Sequence, residues 1–331
     1  MNPLAGALIE IGFEGGPGTA AGLRSTFEHL GFEEGASLAL GLATSGIIAG
    51  LISGVILVNW AVRKGITKQA KKSSELSDTE KKGVYSENDQ PAGHLTTRSE
   101  SIDSLTINFV FIFLSIGIGM ILLKGLVMLE NATWGNAYDV RVLEHLPLFP
   151  LALLGGVLIQ VLYTRFIPQK LIDKKMMMRI QGFALDLLIV SAIATISLAG
   201  IGEHIYVFLI LFAAGVSWNL FSFVFLAKKM LPDYWVERGI LDYGQSIAMT
   251  TTGLMLLQMV DPEKETPAFD SFGYKQIIFE PIVGGGLFTA ASMPLINAFG
   301  PVSVLIGTGT LMALWGGVGL FYFGKKQKND K

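Results

Sequence analysis

Long apolar runs dominate this chain and leave it few ways to fold. They cover Gly35 to Val62, Ser104 to Met128, Leu148 to Tyr163, Phe183 to Ile201, Ile205 to Ala227, Ile278 to Phe299 and Val302 to Gly324. Each approaches or exceeds the roughly 20 residues an α-helix needs to cross a bilayer. A chain in lipid must satisfy its own backbone hydrogen bonds, so each run is predicted to be a helix. The short alternating segments of a β-barrel are absent. Of the 331 residues, 16% are charged and 51% hydrophobic, with a mean hydropathy of +0.51; a soluble domain carries about 25% charge. Eight basic and seven acidic residues are concentrated between Arg63 and Asp103, leaving the remainder poorer still. The expected fold class is an all-α polytopic membrane protein. The lack of cysteine excludes a disulfide framework and a thiolate metal centre, and a net charge of -2 gives no ground for a nucleic-acid partner.

Lys and Arg near the span ends set the orientation. The stretch after the first run, the loop from Arg165 to Arg179, the loop holding Lys228, Lys229 and Arg238, and the tail from Lys325 to Lys331 are rich in them. The loops Asn131 to Pro147 and Gly202 to His204 are poor. The basic segments, including the linker and the C-terminus, are therefore expected on the cytoplasmic side. Parity then requires Gly239 to Val260 to enter and leave from that side as a re-entrant hairpin, with the acidic stretch Asp261 to Asp270 returning to it. Residues 1–27 read as a second re-entrant segment, entering from outside. The start of the sequence lacks the basic region of a cleavable signal peptide.

Two segments carry the candidate chemistry. In Glu14-Gly15-Gly16-Pro17-Gly18-Thr19-Ala20-Ala21-Gly22, dense glycine breaks a helix and lets backbone amides and carbonyls face a ligand. Close helix packing is the bland alternative, and Pro17, lacking an amide, favours the break. In Leu241-Asp242-Tyr243-Gly244-Gln245-Ser246-Ile247-Ala248-Met249-Thr250-Thr251-Thr252-Gly253, an acid, an amide and four Ser or Thr hydroxyls are costly in lipid unless they line a cavity. The alternative is hydroxyls bonded to their own helix carbonyls. Glu10, Glu14 and Glu280, the last before Pro281 and Gly284-Gly285-Gly286, are further candidates for a cation ligand or proton carrier. The four histidines read as loop residues, and no HExxH, GxSxG or Walker motif is present, so no enzyme chemistry is expected.

Two polar or glycine-broken segments of opposite entry side are the pattern of an inverted-repeat secondary transporter. The sequence resembles the bacterial sodium/glutamate symporter family, most closely at Asn2-Pro3-Leu4 leading to Gly15-Gly16-Pro17-Gly18-Thr19, in the Gly35 to Val62 helix, and in the order of helices from Ser104 to Phe299. The resemblance implies inverted repeats with two opposed re-entrant segments, the first repeat being incomplete here because the family's preceding helices do not stand before Asn2. Residues 1–62 would end that first repeat and 63–103 form a flexible cytoplasmic linker. Residues 104–324 would form the second repeat, with its re-entrant segment near 239–260 and an additional C-terminal helix, followed by the basic cytoplasmic tail 325–331. Glu14 and Pro17 stand where the family's first motif has a small polar residue and a histidine, and the second motif keeps only Gly244 and Gly253 of its glycines.

The function implied is sodium-coupled symport of an acidic amino acid such as glutamate across a bacterial cell membrane, by an elevator-like movement in a lipid-embedded homodimer. Sodium serves as the coupling ion, and no other metal or cofactor is expected. Substrate would be held by Gly15, Gly16, Gly18 and Thr19 from one side and Gln245, Ser246, Thr250, Thr251 and Thr252 from the other, with Glu14, Asp242 and Glu280 for cation coupling. Two alternatives stay open: a proton-coupled transporter of another small organic solute, and a transport-inactive membrane remnant or subunit.

Overall fold

The computed structural model describes residues 2–67, 93–98, 100–136, 143–168, 170–194, 198–262 and 264–324. Residues 3–14 wind through a 3-10 turn, Pro3–Ala7, and a π turn, Glu10–Glu14. The helices that follow are α1 Gly16–Gly22, α2 Arg24–His29, α3 Glu33–Arg63, α4 Ser104–Gly135, α5 Leu148–Phe166, α6 Lys174–Ala194 and α7 Leu198–Glu203. Then come α8 Ile205–Met230, α9 Trp235–Ile247, α10 Thr250–Val260, α11 Ala268–Phe279, α12 Leu287–Phe299 and α13 Pro301–Phe323. There is no strand among the described residues.

Five of these helices, α3, α4, α5, α8 and α13, are long and apolar enough to cross a membrane, and each coincides with an expected run. The protein is an all-α polytopic membrane protein. The Phe183 to Ile201 run falls on α6 and α7, with residues 195–197 outside the described residues. The Ile278 to Phe299 run is not the single helix expected. It is divided into the end of α11 and the whole of α12 by an unwound stretch, residues 280–286. Pro281 has no amide to donate, and Gly284 and Gly285 adopt φ of 73° and 102°, angles that only glycine takes readily. His29 closes α2 rather than lying in a loop.

The chain forms two compact units, Met1–Glu75 with Thr195–Lys331, and Leu76–Ala194. In the second, α4 and α5 pack closely: a Cβ on Gly119 would stand 2.6 Å from the Ala152 amide nitrogen, and Gly155 abuts the Ser115 carbonyl. Asp103 caps α4, accepting from the amides of Leu105 at 2.9 Å and Thr106 at 3.2 Å. The buried Glu130 carboxylate accepts from the amides of Leu143 and Glu144 at 2.9 and 3.1 Å, which spares a charge in an apolar setting from lacking donors. Of the expected linker, residues 93–98 run into this unit, where the Thr96 amide donates to Ser104 Oγ at 2.9 Å. Residues 68–92, like the tail 325–331, lie outside the described residues.

In the first unit, α9 and α10 fold back on one another as a hairpin, with α3 as its bed. Gly244 and Gly253 let the two arms touch, a Cβ on Gly244 falling 2.5 Å from Gly253 Cα. Along α3, Gly46, Gly50 and Gly54 recur every fourth residue and so share one face. A Cβ on Gly46 would be 2.5 Å from the Ile247 carbonyl oxygen, one on Gly50 2.7 Å from Ile247 Cγ2, and one on Gly54 2.5 Å from Leu256 Cδ1. Small residues allow such backbone approach between helices in membranes. Two polar links add to it: Ser53 Oγ and Tyr243 OH share a hydrogen bond at 2.5 Å, and Asn219 Nδ2 of α8 donates to the Ser246 carbonyl at 3.3 Å. Gly46→Ala is predicted to lower stability by about 1–3 kcal/mol through overpacking against backbone. Gly307→Ala, where nothing lies within 4 Å, should leave it unchanged or slightly raised. Thermal unfolding of the two purified variants checks the contrast.

Candidate functional site

Three interruptions of helical structure meet in the first unit. The first, at Gly15 and Gly16, separates residues 3–14 from α1; Gly16 has φ of 69°. The second, at Ala248 and Met249, is the tip of the hairpin: Met249 is extended, with φ -174° and ψ 168°. A Cβ on Gly16 would lie 3.4 Å from the Ala248 carbonyl oxygen and 3.6 Å from Met249 Cβ, so the two breaks are in contact. The third is the unwound stretch 280–286. A Cβ on Gly285 would stand 2.7 Å from Thr19 Oγ1, and one on Gly284 would lie 3.6 Å from Glu14 Oε1 and 3.7 Å from Gln245 Nε2. At such breaks, peptide groups are freed from the helical ladder and become available to a ligand.

Gln245 is the hub of the side chains gathered here. It is buried and its amide is fully engaged: Nε2 donates to Gln276 Oε1 at 3.2 Å and to Glu280 Oε2 at 3.4 Å, while Oε1 accepts from Lys275 Nζ at 2.9 Å. Lys275 Nζ also donates to Asp242 Oδ1 at 2.7 Å. Gln276 Nε2 donates to Glu280 and, at 3.3 Å, to Thr250 Oγ1. Beside this network, Glu10 accepts through Oε1 from the Thr289 hydroxyl and from the Gly284 amide at 3.4 Å. Its other carboxyl oxygen is buried and has no hydrogen-bond partner among the described residues. Glu10 also lines a cavity of about 410 Å³ bounded by Pro3, Phe288, Ser292, Ile296 and α13. Glu14 is within electrostatic reach of Glu10, Lys275, Asp242 and Glu280. The cluster thus sets four carboxyl groups against one ammonium.

Of the residues expected to hold substrate, Gly15, Gly16, Thr19, Gln245 and Thr250 come together here. Gly18 has open space around its Cα, and Thr251 is exposed. Ser246 lines a separate cavity of about 290 Å³ with Asn219, Ser222 and Tyr243, and Thr252 is buried against α3 near Gly50. Among the acids expected for cation coupling, Glu14 and Glu280 face the cluster, while Asp242 is already paired with Lys275. Among the described residues no three carboxylate or imidazole side chains converge closely enough to hold a metal ion. A cation here would depend on amide and backbone oxygens as well as on carboxylates. Sequence reasoning missed Lys275, Gln276 and Thr289. The run Gly284-Gly285-Gly286 after Pro281 was the available sign of the break that precedes Thr289, whereas Lys275 and Gln276 lie before it on α11.

A family model described as sodium/glutamate symporter matches residues 1–260, which take in the first break and the whole hairpin but not α11, α12 or α13. Comparison with curated proteins and with solved structures finds no match.

Thr289→Val would leave Glu10 with the Gly284 amide as its one remaining donor on Oε1. A buried carboxyl deprived of a partner is expected to cost about 1–3 kcal/mol. The thermal midpoint should fall in Thr289→Val and be restored in Thr289→Ser, which keeps the hydroxyl.

Proposed function

Since this chain belongs to the sodium/glutamate symporter family, we propose that it carries out sodium-coupled symport of an acidic amino acid, glutamate first among them. The observation that carries the reading is the convergence of three helix breaks on a carboxylate-rich centre within a multi-pass membrane protein of this family. Moving an anionic amino acid into a low-dielectric site already rich in carboxylates is electrostatically unfavourable unless cations enter with it. Coupling to sodium supplies them. The peptide groups at Gly15, Gly16, Gly284 and Gly285, with Thr19, Thr250, Gln245 and Gln276, meet the substrate carboxylates once the Gly15, Gly284 and Gly285 amides exchange their bonds to the Glu10 carbonyl, the Glu10 carboxylate and the Thr289 hydroxyl for bonds to substrate. Glu14 and Glu280 provide the negative charge of the cation-coupling region, while Asp242, the third acid expected there, has its charge balanced by Lys275.

An elevator-like step, in which the breaks and the cluster they carry move together, is the movement that the family resemblance implies. Residues 1–62 and 104–324 are taken as the two repeats, the segments at 1–27 and 239–260 being re-entrant. The Lys and Arg bias argues for a linker and tail on the cytoplasmic side, and the family resemblance for a bacterial cell membrane and a homodimer. Purified protein in proteoliposomes should show counterflow of labelled glutamate that an inward sodium gradient stimulates several-fold. Absence of sodium-stimulated flux for every acidic amino acid would remove the assignment.

Proton coupling is the second reading, and the four carboxyl groups facing one ammonium favour it specifically. It predicts solute uptake driven by a pH gradient in sodium-free vesicles, abolished by Glu14→Gln. Sodium-driven uptake unaltered by Glu14→Gln would instead make that acid a structural one.

A further inference from the structure

We propose that Lys275 is a tethered counter-cation: its ammonium fills a monovalent-cation position formed by Asp242 and Gln245, and so keeps sodium from binding there. The inference rests on the reading of this cluster as an ion-coupled site. Its basis is the placement of the ammonium. Lys275 Nζ sits 2.7 Å from Asp242 Oδ1 and 2.9 Å from Gln245 Oε1, a carboxylate and an amide oxygen of the kind that hard monovalent and divalent cations take as ligands. Both oxygens are on α9, one helical turn apart, so the same face that presents an acid presents the neutral oxygen beside it.

Three features make this more than a surface ion pair. Gln245 is buried, and its two amide protons are committed to Gln276 and Glu280, which fixes Oε1 toward the lysine. Glu14 and Glu280 stand within electrostatic reach of the same ammonium, so its removal would leave a local excess of negative charge. The Lys275 side chain is 31% exposed and that of Asp242 45%, and Asp242 also lines the cavity of about 290 Å³ shared with Asn219 and Ser246. A small cation therefore has a route to the carboxylate. Lys275 lies on α11, outside the residues that the family model matches, while Asp242 and Gln245 lie within them.

Equilibrium binding of radioactive sodium to the purified full chain, without substrate, tests the proposal. Lys275→Gln should bind one more sodium per chain than the unaltered protein, and Asp242→Asn combined with Lys275→Gln should return to the original number. Equal stoichiometry in Lys275→Gln and the unaltered protein would overturn it. Asp242→Asn alone gives a check that does not need the lysine variant to fold: sodium stoichiometry should stay unchanged, and loss of one sodium would show that Asp242 holds the ion itself. A failure of sodium-stimulated glutamate flux would remove the proposed substrate and leave these binding counts to decide the role of Lys275.

Discussion

The approach of the α3 backbone to the tip of the hairpin governs everything else in the first unit. Within a membrane, apolar side chains gain little by leaving lipid for one another, so helices associate through close packing and polar contacts. Gly46, Gly50 and Gly54 provide the packing, and Ser53 with Tyr243 one of the contacts. With the tip of the hairpin seated against α3, Ala248 and Met249 reach the break at Gly16. A side chain at Gly46 would displace the Ile247 carbonyl, and with it one of the interruptions from which the site is built.

The chemistry of the cluster follows from having polar groups where an apolar protein can least tolerate them. Gln245 satisfies its amide completely with Lys275, Gln276 and Glu280, and Glu10 does so only in part. Buried polar networks of this kind are strong when complete and costly when a partner is missing. On the proposed reading, an unpaired acceptor and an excess of carboxyl groups are what an arriving cation would offset.

Much of this was legible in the sequence, and the limits have physical causes. The membrane spans could be read because a bilayer imposes a length, and α3, α4, α5, α8 and α13 obey it. The breaks at Gly16 and at the hairpin tip could be read because glycine and polar residues are conspicuous in an apolar context. The break at 280–286 was absorbed into an apolar run long enough to pass for a helix, although Pro281 and three successive glycines marked it. The repeat of glycine on α3 was visible as a spacing, but its partner could not be, since that contact joins residues some 200 positions apart. Hydroxyl-rich 250–252 misled in a different way: adjacent residues on a helix point in different directions, so Thr250 reaches Gln276 while Thr251 is exposed and Thr252 packs on α3.

The hairpin is attached unequally to its neighbours. Toward α3 and α8 it presents peptide groups as well as the Tyr243 hydroxyl: the Ile247 carbonyl lies against the α3 backbone, the Ser246 carbonyl accepts from the Asn219 side chain, and Tyr243 pairs with Ser53. Toward α11, every hydrogen bond among the described residues runs between side chains. Side-chain bonds can be traded for bonds to water or solute by rotating about single bonds, whereas moving a peptide group means moving the helix that carries it. The molecule therefore has a welded seam on one flank of the hairpin and a laced one on the other, and only the laced seam can be undone without dismantling the fold.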